Sequence, residues 1–347
     1  MRDSTMTIKA NLVAVLVCML LLAALLLSGC SSLSFGGNKA ETTDIHKGTA
    51  GLEVEFLKEA PPSKMQSPAV GETALFQLGI GISNKGAADI SRAYVSFDTG
   101  PLVKFIKWNE EAGSSVTQIG ASGNRISISL EGKSELYPEG KTTMAFADAE
   151  LLSIDPGKKS ETAEVTAHLC YEYRTFAATE VCMDPDIYNQ KNIRKSCTVR
   201  DVSLSGGQGA PVAVTGIKEE MKYDEEIMLP ELTVSVKNAG SGTVFMSDNV
   251  EDACGPAGTI GINTITIVDV DVAGMSKSSG KLKCPETLNL KDNVGEFKCI
   301  LKKENLNAYE RDELLTIDQG TWPATMKIEL GYGYWHAQSR RITIEKQ

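Results

Sequence analysis

Histidine is scarce in this chain, with three side chains (His46, His168 and His336) among 347 residues. None sits in a Ser–His–Asp constellation or a His-Glu-x-x-His run, so the commonest general bases and zinc ligands lack their usual contexts. No Gly-x-x-x-x-Gly-Lys-Ser/Thr loop is present to cradle phosphate. Gly206-Gly-Gln-Gly209 resembles one only superficially, lacking the lysine and a following helix. No basic stretch interleaves with aromatics, and the formal net charge is −10, a balance that suits a soluble acidic surface and disfavours nucleic acid. Aromatics make up only 6%, so any core must rest mainly on Val, Ile, Leu and Ala. Asn-x-Ser/Thr sequons are absent as well, so no N-glycan shield is expected. Past the N-terminus no long amphipathic helix appears; residues 304–315 alone suit a short one. These absences point away from an enzyme and from any cofactor.

What is present is a repeat. Glu150-Leu-Leu-Ser-Ile-Asp-Pro-Gly157 returns as Glu313-Leu-Leu-Thr-Ile-Asp-Gln-Gly320. Leu78-Gly-Ile-Gly-Ile-Ser-Asn-Lys-Gly86 likewise matches Leu232-Thr-Val-Ser-Val-Lys-Asn-Ala-Gly240. Leu169-Cys-Tyr-Glu-Tyr173 matches Leu330-Gly-Tyr-Gly-Tyr334, and Leu57-Lys-Glu59 matches Ile217-Lys-Glu219 more weakly. The shared segments alternate with period two: Phe76, Leu78, Ile80 and Ile82 fall on one face, as do Leu232, Val234 and Val236. Val165, Leu169, Tyr171 and Tyr173 form another such set, answered by Ile328, Leu330, Tyr332 and Tyr334. Alternation of this kind means one buried and one wet face, the habit of antiparallel sheets. Asn-x-Gly suits a reversal that uses positive φ, and Asp155-Pro-Gly157 suits a type II turn.

Many short strands with little helix predict an all-β protein of two tandem immunoglobulin-like β-sandwiches. The Leu-x-Val-x-Val-x-Asn-x-Gly strand, followed later by Asp-Pro-Gly and an alternating strand, resembles CARDB-type immunoglobulin-like domains. It is also similar to uncharacterised secreted proteins of archaea that carry such domains in tandem. The resemblance covers about a quarter of each module. It implies extracellular adhesion or scaffolding and brings no catalytic residue with it. The expected division is a signal peptide or anchor at 1–29, a flexible stalk at 30–49 and sandwiches at 50–204 and 205–347. Ser203-Leu-Ser-Gly-Gly-Gln-Gly-Ala-Pro211 would be the linker between them.

The N-terminus reads as an address. Arg2 and Lys9 precede an apolar run from Leu12 to Leu27, closed by Ser28-Gly-Cys30. This fits a lipobox in which the Cys30 thiol receives a lipid. An uncleaved membrane anchor is the alternative, because the flanking residues can lengthen the run to span a bilayer. Both place the rest of the chain outside the cell, tethered to the membrane.

Six further cysteines, Cys170, Cys182, Cys197, Cys254, Cys284 and Cys299, form an even set that favours disulfides in an exported chain. The repeat sets Cys170 and Cys182 opposite each other across an expected hairpin, both on its wet face. Cys284 and Cys299 bracket another hairpin, and Cys197 is left for Cys254. A metal site using His168, Cys170 and Cys182 is the competing reading, without supporting ligand spacing. Asp248-Asn-Val-Glu-Asp252 and Asp184-Pro-Asp186 are acidic enough to attract calcium, yet neither has EF-hand order and solvated loops explain them. Trp335 and His336 have no aligned aromatic counterparts and are expected at a hairpin tip, free to stack on a sugar or a protein. The chain thus reads as a membrane-tethered extracytoplasmic scaffold or adhesion protein, whose partner is a protein or glycan at the cell surface. The alternative is a ligand- or ion-binding accessory lipoprotein of a surface complex.

Overall fold

The computed structural model describes residues 45–109, 116–119, 124–190, 194–224, 227–254, 261–316 and 320–346. The signal or anchor call and Cys30 lie outside the described residues. The first half supplies β1 (Leu52–Phe56), β2 (Lys64–Gln66), β3 (Thr73–Asn84), β4 (Ile90–Asp98) and β5 (Val103–Trp108). It continues through β6 (Val116–Ile119), β7 (Arg125–Leu130), β8 (Thr142–Leu152) and β9 (Ser160–Met183). The second half supplies β10 (Val202–Ser203), β11 (Val212–Asp224), β12 (Ile227–Asn238), β13 (Thr243–Phe245) and β14 (Thr264–Val272). It closes with β15 (Met275–Ser276), β16 (Leu282–Lys283), β17 (Thr287–Asn289), β18 (Val294–Leu301) and β19 (Trp322–Glu345). The protein is all-β, as the period-two alternation requires. Leu78, Ile80, Ile82, Leu232, Val234 and Val236 are all buried, and so are all four tyrosines of the repeated strand.

Two small sheets, β1-β3-β8-β5 and β10-β11-β12-β18-β16, belong to one half each. Apart from β10, both have the order A-B-E-D of an immunoglobulin constant domain. The third sheet, β15-β14-β19-β9-β4-β7-β6, is common to both halves. In each half the strands equivalent to C and F are β4 with β9, and β14 with β19. Where an immunoglobulin domain places strand G beside F, each F-like strand here takes the other half's F-like strand. β9 and β19 pair antiparallel over their whole lengths, from Ser160↔Glu345 to Met183↔Trp322.

This corrects the expected division at 204/205. Residues Asp44–Gln347 form one compact unit, and one buried cluster runs through the inner faces of all three sheets. The expected linker is built in: Gln208 exchanges hydrogen bonds with the Val214 backbone, and the Gly209 N–H donates to Gly48 at 2.8 Å. The end of the expected stalk is held as well, because the Gly48 N–H donates to Gly206.

The two halves meet as an isologous dimer would. Leu169–Tyr173 and Leu330–Tyr334 are offset by 161 (330 minus 169), which carries Glu172 onto Gly333. Those two residues face each other in the strand pair, so a pseudo-two-fold axis passes between them. Tyr171 and Tyr173 are thereby set against Tyr334 and Tyr332. The four rings close a buried ring of contacts, with centroids 5.6 to 6.4 Å apart. Burial raises all four phenols, Tyr173 and Tyr334 to about 12, so they stay protonated and donate.

These tyrosines explain the repeated Asn-x-Gly. The Tyr173 hydroxyl accepts from the Ala88 N–H at 3.1 Å and donates to the Gly209 carbonyl at 2.9 Å. In the second half Tyr334 accepts from the Gly242 N–H at 2.7 Å and donates to Asn238 Oδ1 at 3.2 Å. Asn84 and Asn238 brace the same turns through their Nδ2 groups, to Ala88 and Gly242. Positive φ is not the reason for the glycines: neither Gly86 nor Gly240 adopts it. A Cβ at either position would run into a tyrosine hydroxyl, Tyr173 or Tyr334. The Tyr173→Phe substitution is expected to cost about 2 kcal/mol, because it leaves the Ala88 N–H without its partner and takes one of two donors from the Gly209 carbonyl, which keeps the Ala87 N–H. Urea denaturation measures this, and an unchanged midpoint would refute the role.

Two further expectations change. Asp155-Pro-Gly157 does turn, closed by the Lys158 N–H on the Asp155 carbonyl, but Gly157 has no positive φ, so the turn is not type II. The echo around 313–320 is not the strand end seen at 150–157. A 3₁₀ turn (Lys303–Asn305) and a π-helical turn (Glu310–Leu314) intervene before Thr316 bridges Ile227. Residues 317–319 of the echo lie outside the described residues.

Candidate functional site

The cysteines pair as Cys170–Cys254, Cys182–Cys197 and Cys284–Cys299. The last is the expected pair: Lys283 faces Ile300 in register, so Cys284 and Cys299 are the next rung. The Cys170–Cys182 and Cys197–Cys254 pairs are not formed. Cys170 and Cys182 lie on the same unbroken strand, β9, where twelve residues span about 40 Å. Cys170 is not on a wet face either; it is fully buried under residues 247–254. Three disulfides suit an oxidising, extracytoplasmic compartment.

Trp335 and His336 are not at a hairpin tip. Both lie mid-strand in β19 and are partly buried. Trp335 faces Cys170 across the strand pair and stacks on His168, with centroids 5.8 Å apart. It packs against Cys170, Phe245, Val250, Ala253 and Cys254, and burial lowers the pKa of both His168 and His336. Trp335 therefore supports the 247–254 cap. The Asp184-Pro-Asp186 cluster is used internally too. Asp184 pairs with Lys195 at 2.6 Å and accepts from the Asp186 N–H. Among the described residues no three of His, Cys, Asp and Glu gather as metal ligands.

Three hollows line up elsewhere, along β9. One of about 690 Å³ lies between Glu172–Phe176 and a wall that includes Asp89 and Lys133. A second, about 670 Å³, lies between Phe176–Thr179 and Leu204–Gln208. A third, about 820 Å³, lies between Thr179–Cys182 and Ser196–Ser203. Phe176 borders the first two, and Thr179 the last two. Phe176 is 52% exposed, in a sheet whose other large aromatics are buried or partly buried. Arg174 beside it pairs with Glu329 at 2.5 Å.

Glu219 lines the third hollow from a core-facing position of β11. It is 6% exposed, and its Oε1 has no hydrogen-bond partner among the described residues. Burial pushes its pKa up from 4.5 to about 7, against the lowering effect of the Cys182 and Arg200 backbone N–H groups. Neither Phe176 nor Glu219 is marked by the sequence. Phe176 is an ordinary strand residue there, and Glu219 is the polar end of a weak repeat match.

No family model matches this chain, and no curated protein matches it. Among solved structures it aligns with a serine-rich repeat adhesion glycoprotein (Srr1) of Streptococcus agalactiae, at 7% identity and TM-score 0.19. That alignment covers 88% of this chain and 98% of the other. The CupB6 tip adhesin of Pseudomonas aeruginosa aligns at 10% identity and TM-score 0.17, over 87% and 99% of the two chains. Similarity this low establishes neither a shared fold nor a shared function.

Proposed function

We propose that the protein is a membrane-tethered extracytoplasmic scaffold or adhesion component that presents one rigid β-body. The fusion of the two halves through β9 and β19 carries this reading. The whole length of each strand is hydrogen-bonded to the other, and Cys170–Cys254 ties the first half to the second. Such a body holds a surface at a fixed orientation, which an adhesive or spacing role requires. The tether is the N-terminus, through Cys30 or an uncleaved apolar segment. Crosslinking in native membranes tests the reading, with other surface proteins or self-contacts as the expected neighbours. Consistent recovery of a transporter would overturn it. Replacing Cys30 with Ser is expected to release lipid-anchored protein from the membrane fraction, and retention would identify a spanning anchor.

A further inference from the structure

β9 is longer than its neighbour on one side. β4 pairs with it only from Asp98↔Thr166 to Ala93↔Tyr171, whereas β19 accompanies it to Met183. In antiparallel sheets, alternate residues turn both N–H and C=O to opposite neighbours. The Thr325 carbonyl accepts from the Ala273 N–H on the β14 side at 3.1 Å, so Thr325 and its partner Glu180 face away from each other. By alternation Arg174, Phe176, Ala178 and Glu180 turn their backbone groups to the open side. Cys182 does the same, and its backbone N–H lies close enough to Glu219 to lower that carboxyl's pKa. Between Arg174 and Glu180 no backbone partner occurs among the described residues.

Open edges invite uncontrolled pairing and are usually blunted by charge, bulges or cover. This one has Arg174 and Glu180 at its ends, with Phe176 and Ala178 exposed between them. The three hollows run beside it. The pseudo-two-fold carries Arg174–Glu180 onto 335–341 of β19, a stretch that two strands flank rather than cover. There β13 pairs with Gly333–Trp335, and β2 joins in parallel at Thr343–Glu345 with Lys64 reaching Glu345 at 3.5 Å. Thr179 corresponds to Arg340, whose guanidinium donates to the Leu57 carbonyl at 2.6 Å. In the third hollow Glu180, Asp201 and Glu219 outnumber the one cation, Arg200.

We propose that the open edge of β9 from Arg174 to Glu180 takes up an extended peptide segment of a partner protein as an added β-strand. The segment sets an apolar side chain against Phe176 and a basic one toward Glu180 and Asp201. Backbone pairing supplies the affinity and the alternate side chains the selectivity. The proposal rests on the adhesion reading only in placing the partner outside the cell.

The test uses the full chain and an eight-residue probe, Lys-Val-Thr-Val-Thr-Val-Thr-Val, with its reverse sequence to cover both strand directions. Amide hydrogen exchange is expected to slow by at least ~10-fold at Arg174, Phe176, Ala178 and Glu180 when the probe binds. N-methylation of alternate probe residues should abolish the effect, and Glu in place of Lys should weaken binding at low salt. Ala178→Pro removes an edge N–H that β19 does not use, and should block binding. If that variant fails to fold, the N-methylated probes still decide. No binding at millimolar probe, equal binding of the N-methylated probe, or protection elsewhere would each overturn the proposal. None of these results bears on the crosslinking outcome, so the two readings fail separately.

Discussion

Replacing Cys170 and Cys254 together with serine is expected to produce the largest loss of stability of any disulfide removal in this protein. The bridge closes 84 residues of chain, against 15 for each of the other two. The chain-entropy relation gives about 4.5 kcal/mol for the long loop and about 3 kcal/mol for a short one. Packing adds to the difference. The bridge holds residues 247–254 over Phe245 and Trp335, with the Ser96 hydroxyl donating to the Cys254 carbonyl and Arg125 to the Glu251 carbonyl. Denaturant unfolding of the oxidised protein and the double variant measures the change. A shift below ~1 kcal/mol would show that the cap holds without its bridge.

Glu219→Gln is expected to stabilise the protein at pH 8 and to leave it unchanged at pH 4.5. The sign follows from linkage. A carboxyl that titrates at about 7 in the fold and 4.5 in the open chain binds its proton more tightly when folded. Its contribution to stability is therefore fully present below pH 4.5 and is lost as pH rises through 7. The difference between 4.5 and about 7 corresponds to about 3 kcal/mol, an upper figure for the gain at pH 8. Glutamine keeps the shape but has no charge to bury. Unfolding free energies between pH 4.5 and 8 check this. Parallel curves for the two proteins would mean that Glu219 does not titrate in this window. The charged groups nearest in the hollow are Glu180, Arg200 and Asp201, so their single substitutions control for altered surroundings.

Much of the fold is legible in the residues. Leu78, Ile80 and Ile82 show their buried face by spacing alone, and the matched Tyr171-x-Tyr173 and Tyr332-x-Tyr334 mark equivalent strands. Cys284–Cys299 was legible because its partners are neighbouring rungs of one local sheet. Cys170–Cys254 was not, because it joins the centre of β9 to a loop of the other half. Trp335 misled for a related reason. Its neighbours in sequence suggest a hairpin, but the strand runs straight through them, because another strand of equal length lies alongside. The Phe176 groove left no signal, since it exists only where β4 stops short of β9.

The sequence by itself determined the period-two alternation, the duplication and the cysteine supply, because each is a property of side chains or their spacing. Only the tertiary structure decided that two copies become one body, which cysteines meet and which strand edge stays open. The physical reason is that edge pairing is made by backbone N–H and C=O groups, and these are the same at nearly every residue. No side chain names its strand's neighbour. The β9–β19 pairing and the open edge beyond β4 emerge only when all the strands compete for those groups at once.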